Sequence, residues 1–571
     1  MEPFLRGNLR WCLWIWALCY ATAVAFNPLS KLRGTQSHLN SVEAGPKQVA
    51  VIGKDLSRRR IRLFTNKVIG AGAAGASTAF SLRKYADSLG IPVNITVFER
   101  ASYIGGRSTT VNVFDDPAYP IELGASIFVQ VNYNLVNATK ELGLDVRGAS
   151  TERPGDTAAI GVWDGKEFVF VMEDSSSWWN IAKLLWRYGL SPVRAQNLMK
   201  GTVNKFLQLY QEPLFPFKSL TAAAASVGLL DATSTTGATF LEKNNVSPGF
   251  SRELIQASTR VNYGQNLPLI HGLETMVCLA TDGAVAVEGG NWRIFDGMLK
   301  SAQANVQLNH TVTSITQNKD NSVTLNFEDE QSIKQQRADF DEVVIAAPYQ
   351  YSGINISPAP KHTPDTIPFH TLHVTLFSSP HRLSGKYFNL KNPSDIPPET
   401  ILTTLPLGTD LGNAEEGVGP AGFWSISTLR TVKAPSTSNP SEDRESETKH
   451  YIYKIFSPTR PNEAFIREIL GLEQKKIKKA GYITDLPKED ISWSYEKVWH
   501  PYPFLYPRVT FEDPLLAPGI WYTGGIESFI STMETSALMG KNVAALMSQG
   551  WLDKGLVDSP VVEDELGRTE L

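Results

Sequence analysis

Apolar and polar positions fall into two alternating rhythms along the chain. Val68-Ile69 lead into Gly70-Ala71-Gly72-Ala73-Ala74-Gly75 and then the helix-like run Ala76 to Tyr85. This predicts a strand, a tight turn and a helix. A second strand, Val93 to Phe98, ends at Glu99. A helix is predicted from Asn134 to Leu142, a strand from Thr157 to Trp163, and a mainly helical region over 174–230. Strands return at Val306 to Ile315, Ser322 to Phe327 and Ser332 to Arg337, with a helix at Phe295 to Ala304 before them. Glu342-Val343-Val344-Ile345-Ala346-Ala347-Pro348 carries the unbroken apolar run of a strand buried on both faces. His370 to Leu376 alternates, and its two histidines are expected to be ordinary sheet residues. Gly519 to Glu527 repeats strand and glycine turn, and a helix from Met533 to Met547 follows. Strand–turn–helix units at both ends of such a chain predict an α/β fold, a Rossmann-type dinucleotide domain interleaved with a mixed α+β second domain.

The glycines give the first strand its chemistry. Gly70 permits the turn, Gly72 lets backbone approach a pyrophosphate, and Gly75 lets helix and strand pack closely. The following helix directs its N-terminus at the negative charge. Glu99 is placed to accept hydrogen bonds from ribose hydroxyls. A second glycine turn, Gly105-Gly106-Arg107-Ser108, and a further close-approach glycine, Gly124 in Ile121 to Ser126, are not needed by a nicotinamide dehydrogenase. Together they resemble the FAD-binding half of the flavin amine oxidase type, where Gly106 and Arg107 would lie near flavin and pyrophosphate. Val312 could then meet the adenine through its backbone. Gly524 and Gly525 open a helix whose N-terminus can face the flavin.

The expected divisions are a signal peptide over 1–25, a flexible leader over 26–46, FAD-binding segments over 47–145, 285–350 and 516–550, substrate-domain segments over 146–284 and 351–515, and a disordered tail over 551–571. The aromatic residues Trp178, Trp179, Trp186, Tyr188, Phe206 and Tyr210 are expected to be core. Residues 433–448 read as a mobile loop.

Within this frame one stretch is discordant. Gln48-Val49-Ala50-Val51-Ile52-Gly53 already looks like the first strand ending in its first glycine, yet a polar, basic run follows before Val68-Ile69-Gly70 repeats the ending. Deleting 53–69 would rejoin Val-Ala-Val-Ile-Gly-Ala-Gly-Ala-Ala-Gly. The expectation is a foreign insert from a retained intron or gene-model error. The alternative is a surface insertion with Phe64 to Ile69 as the strand, for which Asn66 and Lys67 are poor residues.

Composition adds compartment. The 571 residues suffice for two domains with sizeable cores. A formal net charge of -4 offers no argument for nucleic acid, and Arg58-Arg59-Arg60 is best a solvated loop. Arg6 and Arg10, the apolar run Trp11 to Val24 and Ala23-Val24-Ala25 form a secretory signal, with mature protein starting near Phe26. No later stretch is apolar enough to span a bilayer. Cys12 and Cys19 fall in the signal, leaving Cys278 as a buried, inert thiol and no disulfide or metal pattern. Sequons stand at Asn94, Asn137, Asn245, Asn309 and Asn355.

From about Gln48 to Met547 the chain resembles the prenylcysteine oxidase, or prenylcysteine lyase, family. The resemblance is carried by Arg260-Val261-Asn262-Tyr263-Gly264-Gln265, Ala286-Val287-Glu288-Gly289-Gly290-Asn291 and Tyr522-Thr523-Gly524-Gly525. It implies non-covalent FAD and oxidative cleavage of the thioether of farnesyl- or geranylgeranyl-cysteine. Oxygen is consumed, and cysteine, a prenyl aldehyde and hydrogen peroxide are released. Its partners are then the small prenylcysteine and oxygen, with possible peripheral membrane contact. Its role in degrading prenylated proteins implies a lysosome or vacuole. No metal is required. Arg260, Asn262, Tyr263 and Glu288 are the candidates for holding the amino acid end, and an apolar tunnel in the aromatic helical segment would suit the isoprenoid. A flavin amine oxidase of other substrates, a flavin-dependent desaturase or isomerase, and a secreted binding protein are the competing expectations.

Overall fold

The structure is a computed structural model and describes residues 64–148, 159–172, 177–330, 334–412, 415–434, 449–473 and 481–553. The expected signal, leader, most of the basic run from 53, most of the loop over 433–448 and the tail from 554 lie outside the described residues.

Six strands build the dinucleotide sheet: β1 (Phe64–Ile69), β2 (Val93–Glu99), β3 (Asn305–Leu308), β4 (Glu342–Ile345), β5 (Leu515–Ala517) and β6 (Ile520–Tyr522). Their order is β5-β6-β4-β1-β2-β3, all parallel except β5. Ile95, Val97, Val343, Val344 and Ile345 are buried, as a parallel sheet covered on both faces requires. Helix α1 (Ala73–Ser88) follows β1 and is buried along its first two turns. Beside it stands a four-stranded sheet made by residues 310–317, 323–329, 334–340 and 355–357.

The second region has a helical part, which includes α2 (Ser177–Tyr188), α3 (Ser191–Leu207), α4 (Gln256–Tyr263) and α5 (Gly272–Leu279). Its other part is a seven-stranded sheet running from 493–499 to 168–172. The chain then returns, and α6 (Met533–Asp553) lies against α1. A Cβ on Gly540 would overlap the Ala74 carbonyl oxygen, and Ser77 Oγ donates to Ala537 O at 2.7 Å. The two helices therefore touch backbone to backbone.

Three sequence expectations change. Trp186 is 92% exposed rather than core. Buried Leu184 and Tyr188 lie two residues to either side, which puts Trp186 on the opposite face of α2. His370 precedes its strand, which starts at Leu372, and is buried against Trp424, Tyr502 and Phe504. The helix expected from Phe295 starts at Trp292, directly after the Gly289-Gly290 turn.

β1 uses Phe64 to Ile69 as the strand, the alternative weighed above. Asn66 is 1% exposed, and among the described residues neither its Nδ2 nor its Oδ1 has a hydrogen-bond partner. Lys67 points into aromatic surroundings, its Nζ 3.7 Å from the Phe98 ring centre and 3.6 Å from that of Phe340. Burial pulls its ammonium down to about 7. Two polar residues thus occupy the middle of a central strand.

Candidate cofactor and active site

Gly70 adopts φ +112°, and a Cβ there would meet Ala346 O at 2.8 Å. Its N–H donates to Phe98 O at 2.8 Å, tying the turn to the end of β2. Gly72 precedes α1 in extended geometry with no side-chain cap, and the first turn carries no acid. The helix's leading N–H groups are thus left for an anion. A Cβ on Gly75 would overlap Gly70 O, so α1 leaves the strand as tightly as the spacing predicted. Gly105-Gly106 closes over this turn. Gly105 N donates to Ala71 O at 3.0 Å, and a Cβ on Gly106 would come 3.3 Å from the Gly72 Cα.

The carboxylate of Glu99 accepts from Ala71 N and Ala101 N, both at 2.8 Å. It holds the glycine turn itself and keeps lone pairs for a ribose. Val312 is buried beside Ile69 and Phe98, and a bulge between Val312 and Ser314 breaks the ladder there. Gly124 faces Trp499, whose ring would lie 3.0 Å from an added Cβ. Arg107 reaches the far end of the chain. Its guanidinium donates to both oxygens of Glu527 at 2.8 and 2.6 Å and to Pro501 O at 2.6 Å. Gly524, Gly525 and Glu527 line a pocket with Tyr349, Gln350 and Tyr522 at the carboxyl ends of β4 and β6. That is where an open parallel sheet binds its ligand. A cradle of backbone without Cβ atoms, an uncapped helix N-terminus and an acid after β2 fit FAD.

Two glycine turns quoted from the sequence also meet. Asn291 N donates to Glu122 Oε1 at 2.6 Å, and Asn291 Nδ2 to Ala125 O at 2.8 Å. Burial pushes the Glu122 carboxyl up to about 7, and among the described residues its Oε2 has no hydrogen-bond partner.

The four candidates for the amino acid end are placed differently. Arg260 is fully buried and donates to Thr403 Oγ1 (3.0 Å), Asn266 Oδ1 (2.7 Å), Gly417 O (2.9 Å) and Val418 O (2.7 Å). No donor geometry of that guanidinium is aimed at an open site. Asn262 Nδ2 donates to Ser258 O of its own helix at 3.0 Å. Tyr263 donates to Ser531 O at 3.1 Å, three residues after the Gly524–Ser528 turn. Glu288 is exposed, and its main-chain N–H donates to Asp145 O. Gln265 completes the motif as a clamp, bonding Pro503 O (2.9 Å) on the pocket wall and Leu505 N (2.8 Å) beyond it. The Arg260–Gln265 stretch is therefore a seam joining the helical part to the seven-stranded sheet and the pocket wall.

Sequence reasoning missed Glu527 as the partner of Arg107, although it stood in a quoted stretch. It also missed Glu274, fully buried on α5 beside Tyr263. Burial pushes that carboxyl up to about 8. Only the acidic residue inside an apolar helix, Gly272-Leu273-Glu274-Thr275-Met276, could have signalled it. In the aromatic helical segment Tyr188 and Tyr210 are tied inward, Tyr188 donating to Glu253 and Tyr210 to Glu534, while the side chains of Trp178 and Trp179 lie outside the described residues.

A family model described as prenylcysteine lyase matches residues 171–558, and one described as NAD(P)-binding Rossmann-like domain matches 68–141. The farnesylcysteine lyase of Arabidopsis thaliana is 29% identical over 510 residues, covering 86% of this chain and 89% of that protein. Prenylcysteine oxidase 1 of Homo sapiens is 28% identical over 503 residues, covering 85% and 88%. A putrescine oxidase structure aligns over 85% of this chain at 13% identity with a TM-score of 0.48, too low to carry argument.

Proposed function

The chain belongs to the prenylcysteine lyase family, and from that membership we propose that it is an FAD-dependent oxidase of prenylcysteines. The reaction takes a farnesyl- or geranylgeranyl-cysteine, oxygen and water to cysteine, the prenyl aldehyde and hydrogen peroxide. The match across residues 171–558 carries the reading.

When bound, FAD supplies a two-electron acceptor for hydrogen leaving the prenyl C1. The chain's own residues bind and orient. Gly72 and Gly106 leave room for the pyrophosphate, and the first N–H groups of α1 neutralise it. Arg107 clamps Glu527 at the pocket with a bidentate pair, fixing the Gly524–Ser528 turn against the Gly105-Gly106 turn. Gln265 holds the opposite wall at Pro503.

Compartment belongs to the same proposal. The signal-like N-terminus and the sequons support entry to the secretory pathway and residence in a lysosome or vacuole. Asn94, Asn137, Asn245 and Asn355 are exposed, as glycan acceptors must be. The lipid-like substrate supports peripheral membrane contact. Among the described residues no helix is long and apolar enough to cross a membrane.

The purified protein should be yellow, release FAD on acid denaturation and consume oxygen with farnesylcysteine while producing peroxide. Oxidation of simple amines with no turnover of farnesylcysteine would overturn the substrate assignment, and a colourless protein would overturn the whole reading.

A further inference from the structure

α2 and α3 meet at Gly189-Leu190 and form an outer corner of the helical part. The inner side of this corner is core, with Leu184, Tyr188, Ala195 and Met199 buried. An outer helix face is ordinarily polar. Here Trp186 is 92% exposed, Leu190 59% and Leu185 37%. A single exposed apolar residue is unremarkable in a folded protein, but three within six positions form a patch.

The charge around the patch has one sign. Between Asp174 and Glu212 the sequence has no acid, and Lys183, Arg187, Arg194, Lys200 and Lys205 fall in that interval. This contrasts with a whole chain of formal net charge -4. The carboxylate nearest the corner, Glu253, is turned inward and taken up by Arg187, Arg252 and Tyr188.

We propose that this corner docks the protein on an anionic lipid bilayer. It rests on the peripheral contact proposed above and adds the surface and the lipid charge. Trp186, Leu185 and Leu190 enter the boundary between headgroups and acyl chains, where an indole places its apolar ring in lipid and its N–H in water. Arg194, exposed on α3, lays its stem along the same boundary and keeps its charged end at the phosphates. A shallow contact of this kind needs no spanning helix. Each cation near an anionic surface is worth about a fivefold change in binding.

The test is flotation of the purified full chain with vesicles of phosphatidylcholine alone and of phosphatidylcholine with phosphatidylserine. Binding should require phosphatidylserine and fall with added salt. Trp186→Ala should weaken it about tenfold and Arg194→Glu, a change of two charges, about 25-fold. Their melting temperature and flavin content should match the parent, since both side chains are exposed. Undiminished binding of both variants would overturn the corner while leaving peripheral contact through another surface. No binding to either vesicle would overturn the corner and that contact together, and leave the oxidase assay untouched. Equal binding to both vesicles would overturn the electrostatic half of the proposal. A self-associated protein that Trp186→Ala makes monomeric in the absence of lipid would show that a second copy covers the corner instead, and would also overturn it.

Discussion

A Cβ on Gly72 would meet nothing closer than 3.8 Å, whereas one on Gly75 would overlap the carbonyl oxygen of Gly70. The same motif therefore contains one glycine needed by the ligand and one needed by the fold. Gly72→Val should fold, melt like the flavin-stripped parent and hold no flavin, because the side chain occupies the space in front of the α1 N-terminus. Gly75→Val should fail to fold at all. Circular dichroism and flavin absorbance separate the two, and a Gly72→Val protein that keeps full flavin would place the pyrophosphate elsewhere. Glu274 makes a different point at this scale. Its folded pKa of about 8 lies above the ordinary value of 4.5. The folded protein therefore keeps a proton that the unfolded chain releases between those values. Stability should fall as pH rises from about 4.5 to about 8. Glu274→Gln should remove its share of that slope, leaving the part due to Glu122 and Glu534, and its advantage over the parent should grow across the window to a few kcal/mol, on the order expected for a buried carboxyl. Melting both proteins through the pH series checks this. Parallel curves would mean that Glu274 does not control the slope.

At the scale of elements, β1 is where local sequence and fold disagree. Its neighbours β2 and β4 are apolar strands, yet β1 places Asn66 and Lys67 in the sheet centre. The orphan amide of Asn66 costs about 1–3 kcal/mol. Lys67 has a folded pKa of about 7 against an ordinary 10.5. The unfolded chain holds the extra proton between those values, so the lysine's penalty is full below about pH 7 and is relieved as pH rises toward 10.5. Three nearby phenylalanine rings return part of the cost. Asn66→Val with Lys67→Ala restores the Val-Ala of Val49-Ala50 at these positions. The double variant should melt higher than the parent, most clearly below pH 7. Removing 53–69 altogether should raise both melting temperature and flavin affinity. Equal flavin occupancy and equal stability with and without those residues would show a tolerated insertion and dispose of the foreign-insert explanation.

Across the whole molecule, the dinucleotide sheet was legible because its signals are local. Apolar runs at Val93 to Phe98 and Glu342 to Ile345, with glycines at 70, 72 and 75, specify strand, turn and helix without distant partners. The role of Arg260 to Gln265 was not legible. A run of polar residues looks the same whether it faces a substrate or seals an internal seam, since buried polar groups need partners in either place. What separates the two is the identity of residues some 140 to 240 positions away, Thr403, Val418 and Pro503 among them. Arg260 tests the distinction directly. Its guanidinium carries four hydrogen bonds, three of which join α4 to the seven-stranded sheet and the 415–421 turn, the fourth going to Asn266. It also stacks over Trp424, with the guanidinium carbon 4.7 Å from the ring centre. Arg260→Met keeps the stem and orphans those acceptors, which should cost about 2–4 kcal/mol. Arg260→Lys should not recover the loss, because a single ammonium cannot reach acceptors spread around a planar fork. If Arg260 is a seam residue, the folded fraction of Arg260→Met at low temperature should hold parental flavin, and its KM for farnesylcysteine should change less than about threefold. A stable Arg260→Met protein with a KM raised by more than tenfold, about 1.4 kcal/mol of lost binding, would instead return the residue to the substrate.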